Sequence, residues 1–435
     1  MTDHTVSHEA LAPEHHVSRA GIERLSKEIL ERCDELALLT EEPGRITRTF
    51  LSHPMRDTHQ LLGFWMRDAG LSVRVDALGN VIGRLEGKNP KTLLIGSHVD
   101  TVPNAGRFDG ILGVMVGIAM AKAISSSGQM PAFSLEVIAF SEEEGVRFAT
   151  PFLGSRAVVG TFSPELLEKR DQAEISVDQA IRDFGLEPDT IAQAAYRKQD
   201  LLGYLEVHIE QGPVLESLKL PLGAVDAILG QTRASMRMTG LASHAGTTPM
   251  HLRKDALTAA SEVVLEAERY ARAKGLVATV GVFEVSPGAG NVIPGEVRLS
   301  LDVRHSNNKL RERAAAEILD FAWHVAQRRK LKFEIEMKLE QDAAPMDSLW
   351  TDFLCDALED TGHKAHRLPS GAGHDAMILA PFTRTAMLFV RSPKGLSHHP
   401  DEAVQKTDVR AALEVSLEFV RKLEGYVKRV PDALK

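Results

Sequence analysis

Five short segments of this 435-residue chain carry residue types that bind divalent cations and move protons. They are Gly96-Ser97-His98-Val99-Asp100, Arg107-Phe108-Asp109-Gly110, Ser141-Glu142-Glu143-Glu144-Gly145, Glu206-Val207-His208-Ile209-Glu210-Gln211 and Ser397-His398-His399-Pro400-Asp401-Glu402. Imidazole nitrogen and carboxylate oxygen suit zinc, manganese, cobalt and nickel alike, and such ions activate water for hydrolysis. Cys33 and Cys355 stand too far apart in sequence to suggest a disulfide framework or a thiolate zinc site, so a metal here needs nitrogen and oxygen ligands. Taken singly, each segment has a plain structural explanation. His98 fits a satisfied structural histidine, Asp109 a helix N-cap, and Glu142-Glu143-Glu144 an exposed acidic loop. His398 and His399 compete for one role.

Position raises them together. The runs Thr92–Ile95 and Leu135–Phe140 are short and apolar, and a strongly apolar helix is expected between them from about 111 to 124, so they form a βαβ unit on a buried parallel sheet. His98 and the glutamate run then lie just past the carboxyl ends of neighbouring strands, where open α/β sheets place their ligands. Strands are also expected over 201–208, ending at His208, and over 385–390, shortly before His398. Amphipathic helices are expected over 21–40 and 58–69, and further helices near 347–360 and over 407–428.

The middle of the chain has another rhythm. A strand over 230–239, a helix over 252–274, strands over 277–285 and 296–304, a helix over 309–328 and an alternating strand over 331–339 give the order βαββαβ, the split motif of ferredoxin-like domains. The expected fold is therefore α/β, a mixed and largely parallel-sheet catalytic domain (1–216 and 341–435) interrupted by an inserted ferredoxin-like α+β domain (217–340).

Acidic residues exceed basic ones by 60 to 51, with no basic stripe, which argues against nucleic acid or an anionic membrane as partner. Neither a signal peptide nor an apolar run of spanning length is evident, so a cytoplasmic location is expected. His4, His8, His15 and His16 read as a polar lead-in rather than a metal site. The segment Gly83–Asn89 has the wrong spacing for a phosphate loop, and no GxGxxG follows a strand.

Seven stretches in order, GSHVDTVPNAGRFDG, SEEEGVRF, EVHIEQGPVLE, ASHAGTTPM, GNVIPG with LDVR, SGAGHDA and GLSHHPDE, resemble the amidase, hydantoinase/carbamoylase family of zinc-aminopeptidase-like hydrolases. The likeness runs from about residue 96 to 402, with similar flanks. It implies two divalent ions per subunit (Zn, Mn, Co or Ni), one held by His98, Asp109 and His208, the other by Asp109, Glu144 and His398, with Asp109 bridging. The ligand choice of His398 over His399 follows from its place directly after Ser397. Asp100 would orient His98, and Glu143 would be the general base acting on a metal-activated water. Glu142 has no implied role and is expected to face solvent.

The resemblance further implies that His244 meets the charge developing on the carbonyl oxygen, reaching across a homodimer joined through the inserted lid domain. Gln211, Asn291 and Arg304 would hold the substrate's amide and carboxylate. His374 and Asp375 receive no role. The implied reaction is hydrolysis of a ureido C–N bond in a small carboxylated substrate, allantoate or an N-carbamoyl-L-amino acid, with release of ammonia and carbon dioxide. Val102–Gly106 and Gly145–Phe148 lean slightly toward the allantoate enzymes. The alternatives are an N-carbamoyl-β-alanine hydrolase, an aminoacylase or peptidase of the superfamily, and a catalytically silent binding relative.

Overall fold

The computed structural model describes residues 17–434 and divides them into two compact units. The N-terminal histidines lie outside the described residues. The first unit comprises residues up to Asp226, Met346–Leu368 and His374 onward; the second comprises Ala227–Pro345 with Pro369–Gly373. These boundaries differ from the expected 217 and 340, because the strand Leu222–Ile228 pairs with Thr385–Val390 and keeps residues 217–226 with the first unit.

In the first unit, strands β1 (Ser72–Val75), β2 (Val81–Leu85), β3 (Thr92–His98), β4 (Ser134–Phe140), β5 (Leu201–Ile209) and β6 (Leu222–Ile228) join Thr385–Val390 in one sheet. Its order is β1-β2-β4-β3-β5, then Thr385–Val390, then β6. The four middle strands, β4, β3, β5 and Thr385–Val390, are mutually parallel, and the flanking pairings are antiparallel. Every residue of those four strands is buried, which explains their near-continuous apolar sequences.

The helix Ile111–Ser126 packs on the sheet and buries thirteen of its sixteen residues, Ile111–Ala121, Ala123 and Ile124. A helix apolar all round has no solvent face, so it belongs inside a core. It holds Asp109 and Gly110 rigidly at its amino end. The helix expected from 58 begins instead at His53, since Pro54 fits a first helical turn, where its missing N–H costs nothing.

The second unit is a separate sheet of antiparallel strands. Phe283–Ser286 and Val277–Thr279 flank Glu296–His305, which pairs with Gly230–Thr239, which pairs with Lys332–Gln341. Helices Ala256–Lys274 and Asn308–Arg328 bury a core of Met236, Met238, Val297, Leu299, Val303 and Ile318. The helix expected from 252 starts at Ala256 because the Asp255 carboxylate caps Leu257 N and Thr258 N. The strand expected over 277–285 is split, with Gly281 N and Val282 N donating to the Ser300 hydroxyl instead of a ladder carbonyl. Among the described residues no helix is long and apolar enough to cross a membrane.

One partly buried group makes stability depend on pH. His59 packs edge-on to Phe184, and its Nε2 has no hydrogen-bond partner. Burial, reinforced by Arg56, pushes its pKa down to about 4 from 6.5. The unfolded chain then takes a proton that the folded one refuses, so stability present above pH 6.5 is lost as pH falls toward 4. At about 1.4 kcal/mol per pH unit the effect is at most roughly 3 kcal/mol. Thermal melts between pH 4 and 7 should show a steeper acid fall in the wild type than in His59→Leu; equal slopes would rule out this source.

Candidate metal centre

Each of the four parallel strands delivers a functional group at or beyond its carboxyl end. His98 closes β3, Glu143 and Glu144 follow β4, His208 is the penultimate residue of β5, and His398 follows Thr385–Val390. Register explains the convergence, with His98 opposite Phe140, Gly96 opposite Glu206 and His208 opposite Phe389. Asp109 enters from the start of the buried helix.

The histidine tautomers follow from their partners. His98 Nδ1 lies 3.0 Å from the Asp100 carbonyl oxygen and 3.4 Å from Asp100 Oδ1. His208 Nδ1 lies 2.9 Å from the Ile209 carbonyl oxygen. In its neutral form each ring therefore carries its proton on Nδ1 and turns the Nε2 lone pair inward, that of His208 also accepting Gly110 N at 3.2 Å. The two Nε2 atoms stand 3.6 and 3.2 Å from Asp109 Oδ1, a buried oxygen that accepts no hydrogen bond. His398 Nε2 lies 3.2 Å from Asp109 Oδ2 and 3.6 Å from Glu144 Oε1.

These contacts give two donor groups that share one carboxylate. His98, Asp109 and His208 form one, and Asp109, Glu144 and His398 the other, each with ligand atoms within 4.8 Å of one another. Imidazole lone pairs converging on a carboxylate oxygen are what a shared cation would resolve, and the residues fit a pair of divalent ions. Two further groups are also close, His98 with Glu143 and Glu144, and Glu206 with His208 and His374. In the latter the Glu206 oxygens are already engaged, one by Ser97 Oγ and one by Ala376 N, both at 2.8 Å.

The electrostatics point the same way. Asp100, Asp109, Glu142, Glu143, Glu206, Asp375 and Glu402 are all less than a tenth exposed. The side chains by themselves are balanced by protons. Burial opposes charge on His98 and His208, yet Asp100 and Asp109 outweigh it at His98, and Asp109 does so at His208, raising both pKa values. Burial likewise opposes charge on Asp109, but His208, His398 and His98 hold it well below the usual carboxylate range. Burial and Asp109 raise Glu144 to about 7. Glu143 is pushed well up, by burial first, with His98 pulling the other way and Glu144, Asp375 and Asp100 adding to the rise.

Asp100 organises this end of the site. Its carboxylate accepts Glu143 N at 3.0 Å and Glu144 N at 3.1 Å while sitting beside His98, so one side chain aligns a ligand histidine with the acidic pair. Behind it lies Arg48, fully buried, donating to the carbonyls of Val99, Leu36 and Leu39. Glu142 does not face solvent as expected. It is 1% exposed because the chain turns at Gly145, with φ +71°, and the carboxyl folds back onto Gly145 N beside Asp100.

Gln211, in a left-handed backbone conformation, donates through Nε2 to Asp109 Oδ2 and to Ser397 Oγ, both at 3.0 Å. His399 turns away, its Nδ1 accepting Asp401 N at 3.1 Å. His244, Asn291 and Arg304 belong to the second unit. His244 pairs with Val292, and Ala245 N donates to the Asn291 carbonyl, so the His244 and Asn291 segments are neighbours. Arg304 donates Nε and Nη2 to the two oxygens of Asp302 and Nη1 to the Gly371 carbonyl. Sequence reasoning passed over Arg48, Ser97, Ser397 and Glu402 as site residues and gave Glu206 only a strand face. A carboxylate within the all-buried strand β5 was a usable signal, because a charge there must be paired.

The family model described as peptidase family M20/M25/M40 matches residues 94–422, and the chain belongs to that family, a hydrolase of C–N bonds. It is similar to allantoate deiminase 1 of Glycine max, 39% identical over 433 residues, covering 92% of this chain and 90% of that one. It is equally similar to N-carbamoyl-L-amino acid amidohydrolase of Geobacillus stearothermophilus, 40% identical over 389 residues, covering 88% and 95%. Among solved structures, an amidase of the hydantoinase/carbamoylase family from Burkholderia multivorans matches with a TM-score of 0.86 at 31% identity, covering 91% and 97%. The family expected from the motifs is the one found.

Gly110 ties backbone to site. Its φ is +69°, and a Cβ there would meet three atoms of the His98 ring at 2.5 Å. Gly110→Ala should therefore displace His98 and lower the metal content of reconstituted protein, read by elemental analysis, by at least one ion per chain; full content would show that His98 has room to move.

Proposed function

We propose that this chain hydrolyses the ureido C–N bond of a small carboxylated substrate, allantoate or an N-carbamoyl-L-amino acid, releasing ammonia and carbon dioxide. The observation that carries the reading is the Asp109 carboxylate shared between two converging donor groups, with Glu143 buried beside them. The similar proteins with named substrates support the ureido class, and none favours N-carbamoyl-β-alanine, N-acyl amino acids or a silent binding role.

His98, Asp109 and His208 would hold one divalent ion, and Asp109, Glu144 and His398 the second. Bound there, the ions would supply Lewis acidity, polarising the ureido carbonyl and making water a better acid. Glu143 takes a proton from the attacking water as its oxygen bonds to the carbonyl carbon, then gives that proton to the nitrogen as the C–N bond breaks. His244 donates to the carbonyl oxygen as charge builds on it, acting across a homodimer formed through the second unit as a lid. Arg304, Asn291 and Gln211 hold the carboxylate and amide, the guanidinium contributing paired, charge-assisted hydrogen bonds. The proposed location is the cytoplasm.

The deciding experiment is ammonia release after reconstitution with Mn²⁺ or Zn²⁺, using allantoate, N-carbamoyl-L-amino acids, N-carbamoyl-β-alanine and N-acetyl amino acids. Preference for either of the last two would overturn the reading. Glu143→Gln should keep its metal and lose on the order of 10²–10⁴ in kcat; wild-type turnover would remove Glu143 as the base. Arg304→Ala should raise KM roughly tenfold to a hundredfold, as expected for a hydrogen bond to a charged group, with kcat changed less. An unchanged KM for an acidic substrate would contradict its role.

A further inference from the structure

Glu402 lies 293 residues from Asp109 in sequence and directly against it in space. It is 3% exposed, and one carboxylate oxygen accepts both Phe108 N at 3.0 Å and Asp109 N at 3.1 Å. Its other oxygen accepts Ser397 Oγ at 3.3 Å, and that hydroxyl lies 3.1 Å from Asp109 Oδ2. The chain makes room for this carboxylate at Gly106, where a Cβ would fall 2.3 Å from the Glu402 oxygen. Glu402 belongs to none of the groups able to hold an ion. It is a buried acid serving the backbone of the shared ligand.

The two donor groups differ in how they are supported. His98 and His208 sit on β3 and β5, within a parallel hydrogen-bonded sheet. Glu144 and His398 sit on loops, and His398 has a positive φ of 54°, a conformation that β-carbon residues seldom adopt. Nothing in a strand ladder fixes the loop carrying His398 relative to Asp109. Glu402 and Ser397 do so, by joining residues 397–402 to the Phe108-Asp109 backbone through one carboxylate.

We infer that Glu402 is a positioning residue that locks the shared Asp109 to the His398 loop and thereby sets the affinity of the second cation position. The inference rests on the two-ion reading above. Outer partners of ligands commonly change metal affinity by about 10–100-fold when removed, and here the loss should fall on one ion more than on the other.

The test is calorimetric titration of Mn²⁺ into chelator-stripped full-length protein. Wild type should take up two equivalents. Glu402→Ala should retain the first and bind the second about 10–100-fold more weakly. Glu402→Gln, which keeps an acceptor for Phe108 N and Asp109 N, should recover most of that loss, and Ser397→Ala should weaken the second equivalent without disturbing those amides. Hydrogen exchange of the stripped proteins should show Phe108 and Asp109 amides opening faster in Glu402→Ala than in Glu402→Gln. Two unchanged equivalents in Glu402→Ala, or a Gln variant as weak as Ala, overturns the inference alone. Fewer than two equivalents in the wild type instead removes the two-ion reading on which it stands. Should Glu402→Ala fail to fold, two unchanged equivalents in Ser397→Ala overturn the inference.

Discussion

A carboxylate oxygen buried without a hydrogen-bond donor is expensive, and Asp109 Oδ1 is such an atom. Facing it are two imidazole Nε2 atoms, and in the neutral rings the proton is committed elsewhere, to the carbonyls of Asp100 and Ile209. That cost becomes useful once a cation sits among the lone pairs. Much else near the site answers to the same constraint. Asp100 ties the acidic pair to His98, Glu206 is satisfied by Ser97 and Ala376, and Glu402 is satisfied by amides. Buried acids at such density persist because each has a donor, a proton or an intended ion.

The parallel sheet supplies the precision. Strands paired in one direction end on the same side, and their carboxyl ends leave side chains converging without dedicated loops. Histidines on β3 and β5 inherit the rigidity of the ladder, and the largely buried helix Ile111–Ser126 holds Asp109 between them. Ligands from loops need more help, which here comes from Asp100 at Glu144 and from Ser397 with Glu402 at His398. The unusual backbone at Gln211 and His398 fits this pattern, since left-handed conformations at non-glycine residues persist only where surrounding contacts over-determine them.

Periodicity made the sheets, the βαββαβ unit and the strand-end placement of His98, Glu144 and His208 legible in the sequence, because burial on both faces writes apolar runs and burial on one face writes alternation. The misreadings have local causes. Side-chain competition moved boundaries, as with Asp255 at a helix start and Ser300 inside a strand pairing. Glu142 was misjudged because three consecutive carboxylates look like a solvated loop, and only the turn at Gly145 reveals that the first folds inward. Glu402 was invisible for a different reason: nothing in a lone glutamate after Pro400 and Asp401 signals that it lies against a backbone nearly three hundred residues earlier.

The proposed metal ligands and Glu143 describe chemistry common to many hydrolases, so they do not by themselves choose a substrate. Choice must come from groups that meet the rest of the molecule, and Arg304, proposed above for that role, illustrates how such a group can be prepared. Asp302 accepts from its Nε and Nη2, and the Gly371 carbonyl accepts from Nη1, so all three guanidinium nitrogens are anchored. A guanidinium held in this way has little side-chain entropy left to lose on meeting an anion. The neighbouring Asp302 also offsets part of the positive charge, which moderates affinity for any anion. Selectivity from a group anchored like this is geometric more than electrostatic.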